Sequence, residues 1–436
     1  MELPSGISRA DVVDMERRHV WPPYTSSERH ETTDPLVVVG AEGPWLIDAD
    51  GRRLLDANAS WWTCTLGHGH PRLRAALVRQ AEALMHVAAG GITHAPVALL
   101  AEELAAIAPG DLSRVHFSDD GSTAVEVAVK AAFQYWQQNG RPARTRFVSL
   151  SGAYHGDTLG AASLASLTEF HHVFAPILFD VIRPPPLGEA GGWARVFDEV
   201  FAALEARPDE IAGVIVEPLI QGAAGMQMYD ASLLRELRER TRAIDTFLIA
   251  DEVFTGYGRT GAMWACERAG VVPDLLCTAK GFTAGVLPMA ATLATPRVYD
   301  GFRGGPRRAL MHGHTFCGNP LGASVAREVL AVYRDEGVLA NVEAKTPRVA
   351  EAFERLAGVE GVRRVRTMGL VAAAEVGDGG YGGAVGWKIF EAALERGVFL
   401  RPLGDVVYVT PPLNIDDTAL TYLLEAVDAA VRTVMR

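Results

Sequence analysis

The feature that most constrains the fold is an alternation of short apolar runs with helical patterns between residues 72 and about 320. An apolar run at 115–117 precedes a helical pattern at 124–136, and a second apolar run follows at 147–150. This order is typical of βαβ units. It predicts an α/β fold in which a large, mostly parallel sheet carries helices on both faces.

The last hundred residues follow a different pattern, with helical stretches at about 321–357 and 418–434 around short strands. Periodicity of this kind predicts a smaller α+β unit. We therefore expect a large sheet domain at residues 72–325 and a small domain built from residues 1–71 and 326–436.

Composition and charge exclude several classes of protein. The 436 residues include 41 Lys and Arg against 53 Asp and Glu, and the net charge of −12 argues against nucleic acid or an anionic membrane surface as partner. The sequence has no run of about 18 apolar residues and no signal-peptide pattern, so we expect a cytosolic protein without membrane spans. The four cysteines show no C-x-x-C spacing and are expected to be reduced.

Three apolar runs end in a polar residue, namely Glu217, Asp251 and Lys280. In open parallel sheets the ligand lies outside the carboxyl ends of the strands, so these residues are candidates for a site. A lysine at the end of a buried strand is costly as a cation and can act as a Schiff-base nucleophile. A lysine that extends to solvent is the alternative, and Lys280 alone does not decide between them.

The presence of Asp251 favours a Schiff-base role for Lys280, because an enzyme that uses pyridoxal 5′-phosphate (PLP) needs both a lysine amine and a carboxylate. The lysine binds the aldehyde, and the carboxylate keeps the pyridine nitrogen protonated so that the ring accepts electrons. Residues 119–123, Asp-Asp-Gly-Ser-Thr, lie between a predicted strand and a helix and fit a phosphate site, with a plain helix cap as the alternative. The three features together predict PLP as the cofactor.

Other aromatic and histidine residues give weaker indications. Tyr154 follows an apolar run and either lies against the cofactor or packs on the sheet edge. For Tyr24, Trp61 and Trp62 the sequence alone favours a core or interface role. Three histidine-rich segments lack further ligands at metal spacing, so no metal site is predicted.

Five motifs stand in the order and spacing of the class III, fold-type I aminotransferases, and the chain resembles this family over nearly its whole length. They are FSDDGSTAVE at 117–126, YHGDT at 154–158, IADEV at 249–253, GYGRTG at 256–261 and AKG at 279–281. The resemblance implies a seven-stranded large domain, PLP as cofactor and transaminase activity, with Lys280 and Asp251 as catalytic residues.

The resemblance also implies which residues surround the cofactor. Gly121 and Ser122 would hold the phosphate, Tyr154 would lie against the cofactor, and Val253 would pack beneath the pyridine ring.

A further segment, residues 313–315, implies a homodimer with shared active sites. Thr315 would reach the phosphate of the neighbouring subunit's cofactor. His314 is expected to contact cofactor and Gly313 substrate.

Within the family, residues 19–25 (HVWPPYT), the Trp61 and Trp62 pair and residues 401–404 (RPLG) resemble the branch that aminates the ketone of 8-amino-7-oxononanoate in biotin biosynthesis. This substrate is a long aliphatic chain with a carboxylate far from the reacting carbon. Aromatic walls would bury the chain, and Arg401 would bind the carboxylate as a bidentate pair.

The remaining substrate contacts follow from the same resemblance. Tyr24 and Tyr154 would complete the aromatic walls, and Tyr24 is also expected to act in catalysis. Asp157 and Arg259 match positions that support substrate binding.

Some alternatives stay open at this point. The amino donor is S-adenosylmethionine in most of this branch and lysine in some members, which residues 401–405, 169–172 and 312–314 resemble more closely. Another class III aminotransferase, acting on an ω-amino acid, ornithine or lysine, would share every cofactor residue. A binding protein that kept the fold without its chemistry is disfavoured, since both Lys280 and Asp251 are present.

Overall fold

The computed structural model describes residues 3–166 and 168–436, and its largest element is a seven-stranded sheet. In spatial order its strands are Arg114–Ser118, Ala290–Ala294, Leu275–Thr278, Phe247–Asp251, Ile211–Val216, Arg146–Ser149 and Val181–Ile182. The last five are mutually parallel, whereas the strand Ala290–Ala294 is antiparallel to both of its neighbours. The predicted large, mostly parallel sheet is confirmed.

Hydrophobic clusters cover both faces of this sheet. Phe247 and Ile249 pack in one cluster with the helix Gly121–Gln138, whereas Leu248 packs in another with the helix Ala231–Ala243. Successive side chains of a strand point to opposite faces, so an apolar run of this kind is buried on both sides. The helices on both faces follow the prediction.

Three smaller sheets come mostly from the two ends of the chain. They comprise the strands Val38–Glu42, Trp45–Asp48, Arg53–Asp56 and Val398–Phe399; the strands Arg363–Met368, Val371–Glu375 and Val406–Val409; and the strands Ile220–Gln221 and Gln227–Met228. Because Val398–Phe399 pairs in parallel with Arg53–Asp56, the two ends of the chain share one sheet. The proposed boundaries after residues 71 and 325 stay predictions, and the second would cut a helix.

Helices occupy most of the remaining regular structure. The α-helices are Arg9–His19, Ser27–Thr32, Pro71–Ala83, Ala95–Ile107, Gly121–Gln138, Leu159–Leu164, Thr168–His171, Leu187–Ala190, Trp193–Ala206, Ala231–Ala243, Ala265–Ala269, Pro296–Asp300, Pro320–Asp335, Val338–Leu356, Val385–Leu394 and Asp417–Val434. The segment Ala59–Trp62 forms a single turn with left-handed backbone angles. The 3₁₀ turns are His172–Ile177, Lys280–Phe282, Pro306–Arg308 and Gly380–Gly382. Within the described ranges, no helix is long and apolar enough to cross a membrane.

The helical stretch predicted at residues 321–357 is divided in the structure. One helix ends at Asp335 and the next begins at Val338. Gly337 between them has φ +64°, a left-handed conformation that glycine adopts without steric cost and that interrupts a helix.

Candidate active site

A cavity of about 420 Å³ lies where the parallel strands of the large sheet end. Its walls include Glu217, Asp251 and Lys280, the three residues that end or follow neighbouring strands. The carboxyl ends of parallel strands meet at one edge of a sheet, which explains why residues far apart in sequence converge here.

Lys280 begins the 3₁₀ turn that follows the strand Leu275–Thr278, and it lines the cavity instead of extending away from it. Its Nζ atom lies 5.1 Å from the centroid of the Trp62 ring. Burial lowers the pKa of Lys280 in spite of the opposing effect of nearby carboxylates such as Asp251. A lowered pKa increases the fraction of neutral amine, which is the nucleophilic form.

Asp251 is held in a fixed orientation by a buried histidine. Its Oδ2 atom lies 2.7 Å from Nδ1 of His155, and its Oδ1 atom accepts a hydrogen bond of 3.1 Å from the amide of Val253. Nε2 of His155 lies 3.4 Å from the hydroxyl of Ser149. We assigned no role to His155 from the sequence, although it stands in the YHGDT motif directly after Tyr154.

Glu217 holds the loop that carries Tyr154. Its carboxylate accepts a hydrogen bond of 3.1 Å from the amide of Tyr154 and one of 2.9 Å from the amide of Gly222. Burial, more than any nearby charge, raises the pKa of Glu217 to about 7. The sequence identified Glu217 as a strand end but gave it no function.

The segment predicted to bind phosphate forms the first turn of a long helix, which begins at Gly121 rather than near Ala124. Asp120 caps this helix by accepting a hydrogen bond of 2.9 Å from the amide of Thr123. The first bond along the helix runs from the amide of Ala124 to the carbonyl of Asp120, so the amides of Gly121 and Ser122 precede the ladder and remain available to an anion.

A close approach explains the glycine at this position. A Cβ atom on Gly121 would lie 2.7 Å from Cγ1 of Val253, which also lines the cavity. Amide donors, an apolar wall, a carboxylate and an amine thus surround one space. This set matches the phosphate, ring, ring nitrogen and aldehyde of PLP.

A second cavity of about 140 Å³ shares Lys280, Trp62 and Tyr154 with the first. Most of its walls are aromatic. The lining residues are Tyr24, Trp61, Trp62, Tyr154, Phe170, Ala223, Lys280, Tyr381, Arg401, Leu403 and Tyr408. Tyr24, Trp61 and Trp62, for which the sequence alone favoured a core or interface role, thus line this cavity, and Trp62 also packs against a hydrophobic core cluster.

Two tyrosines in this second cavity share one carboxylate. The hydroxyls of Tyr24 and Tyr154 both donate to Oδ2 of Asp157, the latter at 2.7 Å, and the two phenol oxygens lie 3.3 Å apart. Burial, assisted by the hydrogen bond to Asp157, raises the pKa of Tyr24 to about 12. Burial also raises the pKa of Tyr154. Both phenols therefore stay protonated donors at neutral pH.

Arg401 supplies a cation to the same cavity. Its guanidinium lies 4.9 Å from the centroid of the Trp61 ring and 5.8 Å from that of Trp387. Among the described residues, no carboxylate lies within ion-pair distance of Arg401. A cation without an acidic partner on an apolar wall is suited to binding the carboxylate of a ligand.

The segment 313–315 lies outside both cavities. Gly313 and Thr315 are exposed, and Nδ1 of His314 lies 3.4 Å from Oδ2 of Asp119, a residue at the edge of the first cavity. The single chain therefore does not bring this segment to its own Lys280.

Arg259 lines neither cavity either. Its side chain is buried, and its guanidinium donates to the carbonyl of Pro411 at 2.7 Å. The supporting role in substrate binding that the resemblance implies for Arg259 stays a prediction.

Aromatic residues that sequence reasoning missed complete the second cavity. The rings of Phe170 and Tyr381 are 4.7 Å apart, and Phe170 also lies 5.1 Å from Tyr24. Phe170 lies in the short helix Thr168–His171 and Tyr381 in the 3₁₀ turn Gly380–Gly382, and no local pattern predicts that the two rings meet.

The fold and the lysine–aspartate pair together define a fold-type I transferase of the PLP-dependent kind. The profile of class III aminotransferases matches residues 26–431, and the chain belongs to this family.

Two curated relatives that match nearly the full length carry the same name. The chain is 41% identical over 440 residues to an adenosylmethionine-8-amino-7-oxononanoate aminotransferase of Geobacter sulfurreducens, with 97% of each chain covered. It is 43% identical over 419 residues to the protein of that name from Synechococcus elongatus, covering 94% of this chain and 97% of the other.

Solved structures agree with this similarity. The crystal structure of the adenosylmethionine-8-amino-7-oxononanoate aminotransferase of Methanocaldococcus jannaschii superposes with a TM-score of 0.94 at 34% identity and covers 98% of this chain and 99% of the other. A PLP-bound amine transaminase from an uncultivated Pseudomonas species gives a TM-score of 0.88 at 31% identity, with 95% and 99% covered.

Proposed function

We propose that this protein is a PLP-dependent aminotransferase that converts 8-amino-7-oxononanoate to 7,8-diaminononanoate in biotin biosynthesis. The observation that carries the proposal is the placement of Lys280 and the unpaired Arg401 on one aromatic-walled cavity. The names of its full-length relatives support the same substrate.

The first cavity fits PLP. Bound there, PLP supplies an aldehyde for amino groups and a ring that accepts electrons from the carbon being aminated. Gly121 and Ser122 present amides to the phosphate, and Asp251, oriented by His155, holds a proton on the pyridine nitrogen.

Lys280 would hold the cofactor through its aldehyde, and its amine is placed to move a proton at the carbon that is aminated. Its partly buried position favours the neutral amine that this task requires. Positioned acid–base catalysis contributes about 10²–10⁴ in rate.

The second cavity binds the keto acid. Burial of the aliphatic chain against Trp61, Trp62 and Tyr24 contributes about 0.8 kcal/mol for each CH₂ group. Arg401 pairs with the distant carboxylate, and the two ends together place the ketone beside Lys280. Tyr24 acts beside Lys280 as a protonated donor.

The partners of the enzyme are small molecules and a second copy of the chain. The exposed segment 313–315 and its exposed neighbours Met311 and Phe316 support a homodimer in which Thr315 serves the partner's site. The cytosolic location and the choice between S-adenosylmethionine and lysine as donor stay predictions, with S-adenosylmethionine favoured by the names of the relatives.

The proposal is tested by incubating the PLP-loaded protein with 8-amino-7-oxononanoate and each candidate donor in turn, with mass-spectrometric detection of 7,8-diaminononanoate. Product formation with S-adenosylmethionine or lysine supports the proposal. Absence of product with either donor would contradict it.

A second candidate function is favoured by the similarity to the amine transaminase structure. An enzyme of that kind would share the Lys280 and Asp251 end of the site and aminate small ketones. Faster turnover of such ketones than of 8-amino-7-oxononanoate would support this candidate instead.

A further inference from the structure

A strained turn presents the two tryptophans to the substrate cavity. Ala59, Ser60, Trp61 and Trp62 have φ angles of 45°, 46°, 55° and 74°, so four consecutive residues other than glycine are left-handed. Each such residue is unfavourable for an L-amino acid, and strain of this kind persists only where the surroundings hold it.

The carboxylate of Asp56 stabilises this turn through hydrogen bonds. The buried carboxylate accepts hydrogen bonds at Oδ2 from the amide of Ser60 at 2.7 Å and from its hydroxyl at 2.9 Å. Its Oδ1 atom accepts from the amide of Asn58 at 3.2 Å, and Nε2 of His68 lies 3.1 Å from Oδ2.

Asn58 connects the turn to the segment that carries the arginine. This buried side chain accepts a hydrogen bond of 2.7 Å from the amide of Arg401 and donates one of 3.2 Å to the carbonyl of Tyr408. Its own carbonyl accepts from the amide of Trp62 at 2.9 Å. Asn58 therefore joins the backbone of Arg401 and Tyr408, through its side chain, to the backbone of the turn at Trp62, through its carbonyl.

A contact at the cavity surface repeats this connection. Nε1 of Trp62 donates to the hydroxyl of Tyr408 at 3.2 Å, and the Arg401 guanidinium lies over the Trp61 ring. The tryptophans and the arginine come from opposite ends of the chain, yet they are joined by a buried network and by their own side chains.

We propose that Asp56 and Asn58 are positioning residues that hold Trp61, Trp62 and Arg401 as one rigid unit and thereby select a long-chain ligand with a terminal carboxylate. This inference deepens the proposed function and rests on it for the natural substrate. Neither residue lines either cavity, so both act through the residues they hold.

The test measures binding of nonanoate, a nine-carbon chain with one carboxylate, to the PLP-loaded protein by calorimetry. Asn58→Ala and Asp56→Ala are expected to weaken this binding at least tenfold, and Asp56→Asn, which keeps an acceptor for Ser60, is expected to fall between Asp56→Ala and the wild type. Asn341→Ala is the matched control, because Asn341 also joins two segments through its side chain but lies away from both cavities.

Kinetics separate positioning from a loss of stability. The KM for 8-amino-7-oxononanoate is expected to rise about tenfold in Asn58→Ala with kcat within about twofold of the wild type, whereas Asn341→Ala lowers thermal stability without changing KM. If the buried variants do not fold, Ser60→Ala at the exposed end of the network is expected to weaken nonanoate binding several-fold.

Two results would overturn the inference. One is nonanoate binding in folded Asn58→Ala or Ser60→Ala equal to that of the wild type, and the other is absence of nonanoate binding to the wild type. A wild-type protein that binds nonanoate but does not aminate 8-amino-7-oxononanoate would refute the proposed function while leaving the positioning role intact.

Discussion

The cofactor end and the substrate end of the site are built in different ways. Asp251 and Lys280 lie at or just after the ends of neighbouring buried strands, and Gly121 opens a long helix. Trp61 and Arg401, in contrast, come from a left-handed turn and a loop at opposite ends of the chain. The cofactor end is thus fixed by the central sheet, whereas the substrate end depends on long-range contacts between irregular segments.

We therefore expect the cofactor end to determine catalysis and the substrate end to determine substrate specificity. Residues on strand ends serve every reaction of the cofactor, so changes there should affect all substrates alike. Residues on the irregular segments should affect only ligands that reach Arg401. The following predictions are ordered from the largest effect to the smallest.

Lys280→Ala is expected to lower turnover by at least about 10⁴, since both the covalent attachment and the proton transfer are lost. The loss should be the same for long and short ketones. Turnover and the visible absorbance of bound cofactor check this, with the exposed Lys388→Ala as control. Retained activity in Lys280→Ala would remove this residue from the catalytic role.

Asp251→Asn is expected to lower kcat by about 10²–10³, because breaking a buried charged pair costs about 3–5 kcal/mol. The cofactor should remain bound. Asp274→Asn is the matched control: Asp274 directly precedes the strand Leu275–Thr278, is an equally buried carboxylate, pairs with Arg238 of the helix Ala231–Ala243, and lies outside both cavities. If kcat fell more in Asp274→Asn than in Asp251→Asn, the loss would be due to a disturbed fold and not to a role of Asp251 in the active site.

Arg401→Ala is expected to raise the KM for 8-amino-7-oxononanoate about 10²-fold, since charged bidentate pairs contribute about 1.5–3 kcal/mol. The KM for the amino donor should change far less, and turnover of ketones without a carboxylate should be unchanged. Arg29→Ala serves as control, because the Arg29 guanidinium also lies near the Trp387 ring, at 4.0 Å from its centroid, but lines neither the first nor the second cavity. If Arg401→Ala impaired the turnover of ketones with and without a carboxylate equally, the proposed pairing of Arg401 with the substrate carboxylate would be refuted.

His68 makes the substrate end sensitive to alkaline pH. Burial lowers the pKa of His68, but its contacts, led by the hydrogen bond to Asp56, outweigh this and raise it to about 10. A folded-state pKa above the unfolded value of 6.5 stabilises the protein fully below pH 6.5, and the contribution is lost as pH rises toward 10. The difference in unfolding free energy between wild type and His68→Gln should shrink by roughly 2 kcal/mol between pH 7 and 9.

The control for this pH effect is His70→Gln, since the partner of His70 is an exposed glutamate. An equal shrinkage of the difference in unfolding free energy for His70→Gln would show that the effect is not specific to His68. A constant difference for His68→Gln would contradict the assignment of a charged His68 beside Asp56.

The same contrast explains what could be predicted from the sequence. The large sheet and its strand-end residues follow from apolar runs and their order, because parallel strands bring their carboxyl ends to one edge. The orientation of Asp251 by His155 could not be predicted, since it depends on how a loop folds back over the sheet. The helix start at Gly121 was misplaced by three residues because apolar periodicity begins only at Ala124.

At the substrate end, much less follows from local sequence. Nothing in Ala-Ser-Trp-Trp predicts a left-handed turn, because the conformation is imposed by the buried Asp56 and Asn58. The contact between Phe170 and Tyr381 likewise depends on how a short helix and a 3₁₀ turn that are distant in sequence pack together. Family resemblance alone pointed to Arg401, whose unpaired guanidinium became evident only in the folded chain.

The most direct test of the account is a chain-length series of ω-carboxylated amino ketones, in which kcat/KM is measured as methylene groups are added or removed. A cavity with Lys280 and Arg401 as fixed ends predicts a maximum at 8-amino-7-oxononanoate and a fall of about tenfold or more for shorter and longer homologues. If kcat/KM did not vary with chain length, or was highest for the shortest members, the claim that the distance between Lys280 and Arg401 selects the substrate's chain length would be contradicted.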